Sequence, residues 1–331
     1  MSTAFVVISF FTAYGEREES MVKEREHVYG PIPSRRLGRS LGISPIPGKT
    51  CNYACNYCML GATNRMSGDR KEWFPLDDLL AEVDSFLEEG VDYDTITVCG
   101  EGEPTLYSRL DDLIDGLHAR QTKPVAVITN SGNMDRPEVR QALMKADIVL
   151  PSLEAADEPT WRAIHRPSPH ISFPAIIEGL KAFAKDYQGQ LWLEVMLLAG
   201  MNDSPDQLSA IKTLVDAIRP DRVYINTPVR PPADPTIKAP DHKTVQMAAD
   251  LLGGTALDYL TDQDFDSAEE DPLQAVLTIC KRHPMNRFEL VHFLEERGVK
   301  DTEAFIRTLK AEDGLDTVTY CGIESYRNTR S

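Results

Sequence analysis

The stretch "TCNYACNYCML", Thr50 to Leu60, holds cysteines at 51, 55 and 58, three of the six in the chain. On a helix those positions would share one face, so buried packing is one reading. Asn52, Asn56 and Gly61 make a poor helix, and the preceding "PIPGKT" is loop chemistry. Structural zinc is a second reading, but it asks for four Cys or His ligands. The next such residues are Cys99 and His118, well outside the loop. A third reading is a four-iron cluster on three thiolates, with one iron left for a ligand that is not protein.

Outward from the loop, short apolar strands alternate with helices. "SLGISPIP" before it is strand-like, and "LDDLLAEVDSFLEEG" (76–90) has helical spacing and stops on Gly90. "DTITVCG" (94–100), "PVAVITNSG", "DIVLPSLEA", "QLWLEVMLLAG" and "RVYINTPV" read as five further strands. Between them, "RLDDLIDGLHAR", "RPEVRQALMKA", "FPAIIEGLKAFAKDY" and "PDQLSAIKTLVDAI" read as helices. Six strands separated by helices imply a parallel sheet with helices outside. The pattern fits a doubly wound sheet or a partly closed barrel, and in both the active site lies at the C-terminal strand ends.

After the Pro-rich "PVRPPADPTIKAP" (228–240) come the helical "HKTVQMAADLLGG" and the acidic "DQDFDSAEED" (262–271), a solvated linker. Three short helices and the alternating "LDTVTYCGIESYRN" then form a winged-helix pattern. The expected organisation is an N-terminal extension over 1–27, a main α/β domain over 28–240, a linker and helix over 241–264 and a winged-helix-like domain over 265–331. The opening "MSTAFVVISFFTAYG" lacks the basic flank of a secretory signal, and Met21 follows, so residues 1–20 are expected to be disordered or a misplaced start.

The chain has 331 residues and a net charge of 35 − 52 = −17. No apolar run approaches the roughly 18 residues that span a bilayer, so a membrane protein is not expected. Clustered thiols then point to a reducing cytoplasm and to metal. Acidity opposes casual nucleic-acid binding, yet no acidic residue lies between Glu26 and Asp69, where Arg35, Arg36, Arg39, Lys49 and Arg65 fall. This basic island around the cysteines makes Arg35, Arg36, Arg39 and Lys49 candidates for an anionic substrate.

CxxxCxxC after a first strand, with Tyr57 before the third cysteine, resembles the radical S-adenosylmethionine (SAM) superfamily. The resemblance implies an α/β fold, a partial (β/α)6 TIM-like barrel, with a [4Fe-4S] cluster on Cys51, Cys55 and Cys58. It implies that the open iron chelates SAM and that an electron from a flavodoxin- or ferredoxin-type donor splits it to a 5′-deoxyadenosyl radical. In "VCGEGEPTL" (98–106) the family's Gly-Gly-Glu-Pro is matched by Gly100, Gly102, Glu103 and Pro104, with one residue inserted. Glu103 would bind the methionine amine, Glu101 being the less favoured alternative. Asn130, Ser152 and Glu154, at the ends of the third and fourth strands, are expected against SAM, as is Arg166 on its carboxylate. Asn202, in a family-like turn, is expected either against the adenosine or in a plain Asx turn.

More narrowly, "YGPIPSRRLGRSLGISPIPGKTC" with "GEGEPTL" looks like uncharacterised iron–sulfur oxidoreductases related to the wyosine-forming tRNA enzyme. The chain departs from that enzyme in lacking a flavodoxin-like domain and in its tail. Cys280 and Cys321 stand alone, so a second cluster is not expected. The implied substrate is open: tRNA, another anionic molecule or a protein. From Phe265 to Ser331 nine Lys or Arg face thirteen Asp or Glu, which favours a lid or protein–protein role for the tail over DNA. The rival class is a cluster- or zinc-bearing regulator that binds DNA or a protein partner through the tail.

Overall fold

The computed structural model describes residues 25–257, 269, 271–312, 314–320 and 323–328. The expectations placed on residues 1–24 and on most of the 262–271 stretch lie outside them.

The chain opens with an antiparallel pair, β1 (Val28–Ser34) and β2 (Gly38–Ile43), and the cysteine loop carries a second pair, β3 (Thr50–Cys51) and β4 (Arg65–Met66). Helices and strands then alternate: α1 (Leu76–Glu88), β5 (Thr95–Val98), α2 (Leu110–His118), β6 (Val125–Thr129), α3 (Pro137–Leu143) and β7 (Ile148–Pro151). Two helices follow, α4 (Glu158–His165) and α5 (Phe173–Asp186), then β8 (Gln190–Met196), α6 (Pro205–Ile218), β9 (Arg222–Asn226), α7 (His242–Leu252) and β10 (Thr255–Ala256). The eight-stranded sheet has the order β1-β2-β5-β6-β7-β8-β9-β10, and only the β1–β2 pairing is antiparallel. Spatial order equals chain order, so the winding never reverses as it does in a doubly wound sheet.

Apart from the two-residue strands β3, β4, β10 and β11, two elements were not legible in the sequence. β1 contains Pro31 and Pro33, which argue against a strand, but Pro is tolerated at a sheet edge and β1 is an edge. α4 is short and starts on Glu158-Pro159, with the Asp157 side chain accepting from Thr160 N at 2.8 Å.

Alternating strand residues separate two apolar layers. Ile96, Val98, Val127, Val149, Leu193 and Ile225 pack with helix residues such as Val83, Phe86 and Leu113. Ala126, Ile148, Leu150, Trp192 and Tyr224 face the other way and are packed by Leu37, from the β1–β2 turn, and Leu257. Thr95, also on this face, donates its hydroxyl to the Leu37 carbonyl at 3.0 Å.

The C-terminal unit is α8 (Pro272–Arg282), β11 (Met285–Asn286), α9 (Arg287–Glu296), α10 (Thr302–Leu309), β12 (Leu315–Tyr320) and β13 (Ile323–Asn328). Its three strands form an antiparallel sheet of order β11-β13-β12. Val276, Leu290, Phe293, Leu294, Leu309 and Tyr326 form its core, each buried apolar side chain contributing about 1.5–3 kcal/mol. Asn286 and Glu289 make a reciprocal capping box on α9. Ile32 of β1 packs against this core, so the unit rests on the sheet's antiparallel edge.

Candidate active site at the strand ends

The cysteine loop is held by groups that α4 leaves unpaired. The last carbonyls of a helix have no partner inside it; Ala54 N donates to His165 O and Asn56 N to Ile164 O, each at 2.9 Å. Ser168 N donates to Asn52 O and Asp234 N to Asn56 O, also at 2.9 Å, adding the post-helix turn and the Pro-rich segment as supports.

Cys51 Sγ accepts from Tyr53 N and Asn130 Nδ2, both at 3.4 Å, and Cys55 Sγ lies 3.2 Å from His165 Nδ1. Burial, and next the charge of Glu103, push the Cys51 thiol up to about 12. Burial, then Cys51 and Cys58, raise Cys55 well above the ordinary thiol range. Burial raises Cys58, while Leu60 N–H and the Lys49 charge pull it back. Three sulfurs that repel one another as thiolates are a donor set that wants a polycationic iron group. Among the described residues no three Cys, His, Asp or Glu side chains converge as ligands of one metal ion. In a four-iron group each thiolate takes its own iron, which suits three spaced sulfurs. Thr50 Oγ1, Asn52 Nδ2 and Asn56 Oδ1, beside the cysteines, are buried with no hydrogen-bond partner among the described residues.

Facing this loop is the turn after β5. Gly102 sits where a Cβ would fall 1.8 Å from Thr50 O, so only glycine lets the turn approach β3. Gly100, at φ +154°, has Ser44 Oγ 2.4 Å from the same position. Glu103 is buried: its Oε1 accepts from Thr105 N (3.0 Å), Thr105 Oγ1 (2.5 Å) and Thr129 Oγ1 (2.6 Å), its Oε2 from Asn130 N (2.8 Å). Burial still raises its pKa against those four donors. Asn130 thereby touches both halves of the site, since its Nδ2 also donates to Asn52 Oδ1 at 2.8 Å.

On the other side, Tyr57 OH donates to Glu154 Oε1 at 3.1 Å, and Glu154 Oε2 lies 3.1 Å from His165 Nε2. Burial, then Glu154, raise the Tyr57 hydroxyl well above the ordinary phenol range. A small pocket between the strand ends and α4–α5 is bordered by Asn130, Ser152, Glu154, His165 and Tyr53 and, on its apolar side, by Trp161, Phe173, Ile176 and Leu180. The Ser152 carbonyl accepts from Ser131 Oγ at 2.7 Å. The structure therefore brings together Tyr57, Gly100, Gly102, Glu103, Asn130, Ser152 and Glu154 around the three cysteines.

Other sequence candidates lie elsewhere. Asn202 is fully buried, donating to Glu154 O (2.8 Å) and Met196 O (2.9 Å) and accepting from Leu198 N (2.8 Å), so its side chain ties two loops together. Arg166, half exposed, donates to Asp234 Oδ2 at 2.8 Å. Arg36 pairs with Glu194, and Arg35 donates to Leu257 O at 3.1 Å and Asn226 Oδ1 at 3.4 Å. Arg39 pairs with Asp92 at the far end of β2. Of the four cations proposed for an anionic substrate, Lys49 is the one at the cysteine loop. The inserted Glu101 is distinct from Glu103: it meets Arg282 of α8 at 3.1 Å, both side chains buried, and Arg282 also lies over the Tyr29 ring at 4.5 Å. His165 escaped the sequence reading, because a single His one turn after Trp161 on a short helix carries no spacing signal.

Comparison with known proteins bears on this arrangement. The radical SAM superfamily model matches residues 46–215. A UPF0026 protein of Methanocaldococcus jannaschii is 32% identical over 285 residues, 82% of this chain and 87% of that protein. A protein of Brachyspira hyodysenteriae named GTPase Obg is 38% identical over 223 residues, 67% of this chain but only 33% of its own length. Among solved structures, Streptococcus suis SuiB bound to precursor peptide SuiA superposes with a TM-score of 0.50 at 15% identity, over 66% of this chain and 48% of that one; this is a likeness of fold. No helix among the described residues is long and apolar enough to cross a membrane. With over half the sequence matched by the family model and the M. jannaschii protein matched over most of its length, the chain belongs to the radical SAM superfamily, beside the UPF0026 proteins.

Proposed function

We propose that this chain is a radical SAM enzyme with one [4Fe-4S] cluster on Cys51, Cys55 and Cys58. When bound, cluster and SAM together supply a reductive cleavage of the sulfonium that yields methionine and a 5′-deoxyadenosyl radical. The observation that carries this reading is the Asn130 bridge, whose side chain contacts Cys51 Sγ while its backbone N–H holds Glu103 Oε2. One residue thus ties the sulfur loop to a buried carboxylate.

Glu103 Oε1 already takes three donors, whereas Oε2 takes one and keeps a lone pair for a ligand ammonium. An ammonium there would favour the charged carboxylate that burial disfavours. Ser152 and Glu154 border the strand-end pocket that Asn130 also borders, and Tyr57 donates to Glu154. The C-terminal unit, whose order helix–strand–helix–helix–hairpin supports a winged-helix-like reading, acts as a cover that keeps water from the reacting centre. Arg230–Glu289 at 2.9 Å and Glu101–Arg282 at 3.1 Å pin it to the loops that follow β9 and β5. The hydrogen donor is a substrate admitted between cover and loop.

Anaerobic reconstitution with iron and sulfide, then strong reductant and SAM, tests this. About four irons per chain and 5′-deoxyadenosine by mass spectrometry are expected, both lost in a Cys51→Ala/Cys55→Ala/Cys58→Ala variant. Iron incorporation without any SAM cleavage would overturn it.

A further inference from the structure

The acid-free stretch between Glu26 and Asp69 looks like one basic island in the sequence, but the fold disperses it. Arg35 and Arg36 turn inward to Asn226, Leu257 and Glu194, and Arg39 goes to Asp92. Lys49 and Arg65 stay with the cysteines, and the fold adds a third cation from far along the chain. Lys49 Nζ and Arg327 Nη1 lie 3.5 and 3.8 Å from the point a Gly61 Cβ would occupy. Gly61 N donates to Cys58 O at 3.1 Å, so both charges flank the third cysteine. Arg327, a quarter exposed, also lies 3.7 Å from the half-exposed Asp316, whose charge water screens.

Lys49 is held from both sides: its N–H donates to Glu101 O at 2.6 Å and its carbonyl accepts from Arg65 N at 3.3 Å. In the β3–β4 pair Arg65 stands opposite Thr50, and Met66, 43% exposed, opposite Cys51. Ser67 N donates to Cys51 O at 2.9 Å, which continues the contact. The surface over Cys51 and Cys58 is thus an exposed thioether flanked by cations, on a chain whose net charge is −17.

We propose that the surface formed by Lys49, Arg65, Met66 and Arg327 is the docking site for an acidic one-electron carrier protein. The inference rests on the cluster reading. A buried redox group must receive its electron where its ligands come nearest the surface, and here β4 is a single strand away from Cys51. A small apolar centre within a charged rim suits a weak, transient electron-transfer contact. An acidic carrier is repelled by most of this molecule and attracted to this patch, which orients it toward the thiolates. The C-terminal unit completes the patch through Arg327, so the cover and the electron port share one element.

The test uses the reconstituted full chain and reduced plant-type [2Fe-2S] ferredoxin as the carrier, following bleaching of the cluster's visible absorbance by stopped flow. Binding of the ferredoxin to the same protein is measured by titration calorimetry. The wild-type rate should fall about tenfold from low to high salt. Arg65→Glu/Arg327→Glu should lower both rate and affinity about tenfold at low salt, while keeping wild-type iron content and wild-type photoreduction by a small deazaflavin. Equal rates and affinities for variant and wild type, or a salt-independent wild-type rate, would overturn the assignment. It would also fall if the variant lost affinity for RNA while its reduction by ferredoxin stayed unchanged, since the patch would then belong to a nucleic acid. Failure of the wild type to take up iron would instead sink the cluster reading, together with what rests on it.

Discussion

His165 Nδ1 lies 3.2 Å from Cys55 Sγ, while His165 Nε2 lies 3.1 Å from Glu154 Oε2. The carboxylate fixes the ring and sets its other nitrogen beside the sulfur, and a ring that carries both protons donates to each. Ring contacts from Tyr53 at 4.9 Å and Trp161 at 6.5 Å hold it further. A hydrogen bond to a cluster thiolate favours the more negative, reduced state. His165→Phe should therefore make the reduction potential more negative by on the order of 60 mV, a tenfold effect for one electron. His165→Gln should recover part of it. Redox titration followed by electron paramagnetic resonance measures this, and an unchanged midpoint in the Phe variant would refute the contact's role.

Gly102→Ala should abolish stable iron incorporation, because its Cβ would overlap Thr50 O next to Cys51. Gly68→Ala is the contrast: no heavy atom lies within 4 Å of that Cβ, so iron content should match wild type. Colorimetric iron assay after identical reconstitution distinguishes them. Equal iron in all three proteins would show that the β5 turn can move off β3.

The Glu101–Arg282 pair is more than 90% buried on both sides. Removing one partner of a buried pair leaves an uncompensated charge and costs about 3–5 kcal/mol. Arg282→Ala should lower stability by that order in urea unfolding. Glu101→Gln/Arg282→Met should cost less than the two single changes summed. Strict additivity would contradict the coupling.

Asp234 ties the Pro-rich segment to α4. The Thr236 hydroxyl, and next the Arg166 guanidinium, hold its carboxyl down at about 2, against an ordinary value of 3.8. A carboxylate depressed in the folded state adds stability above its ordinary value, and that stability is lost as pH falls from about 4 towards 2. Carboxyl chemical shifts should place the midpoint near 2 in the wild type and higher in Thr236→Val. A wild-type midpoint near 4 would dismiss the clasp.

Much of the fold was legible in the sequence, because each strand and helix carries its own periodicity. The expected strand "DTITVCG" is β5, and "LDDLLAEVDSFLEEG" is α1, ending two residues before Gly90. The choice between the two windings was not legible, since strand order depends on long-range pairing that no local pattern encodes. Within the site, Cys51, Cys55 and Cys58 announce themselves by spacing, and Glu103 by the following Pro104. The destinations of Arg35, Arg36 and Arg39 were hidden, because charge alone does not say whether a side chain meets solvent or a carboxylate such as Glu194. The roles of Glu101 and His165 depend on residues 181 and 110 positions away, Arg282 and Cys55, and separations of that size leave no trace in a linear reading.

Leu37 wedges the β1–β2 turn among Trp192, Tyr224 and Leu150, and this has a bearing on traffic through the molecule. Side chains from β6, β7, β8 and β9 fill that face of the sheet together with Leu37 and Leu257, so it is packed core and offers no passage. A molecule that meets the cysteine loop therefore comes and goes on the side of the strands' C-terminal ends, and not through the Leu37 side.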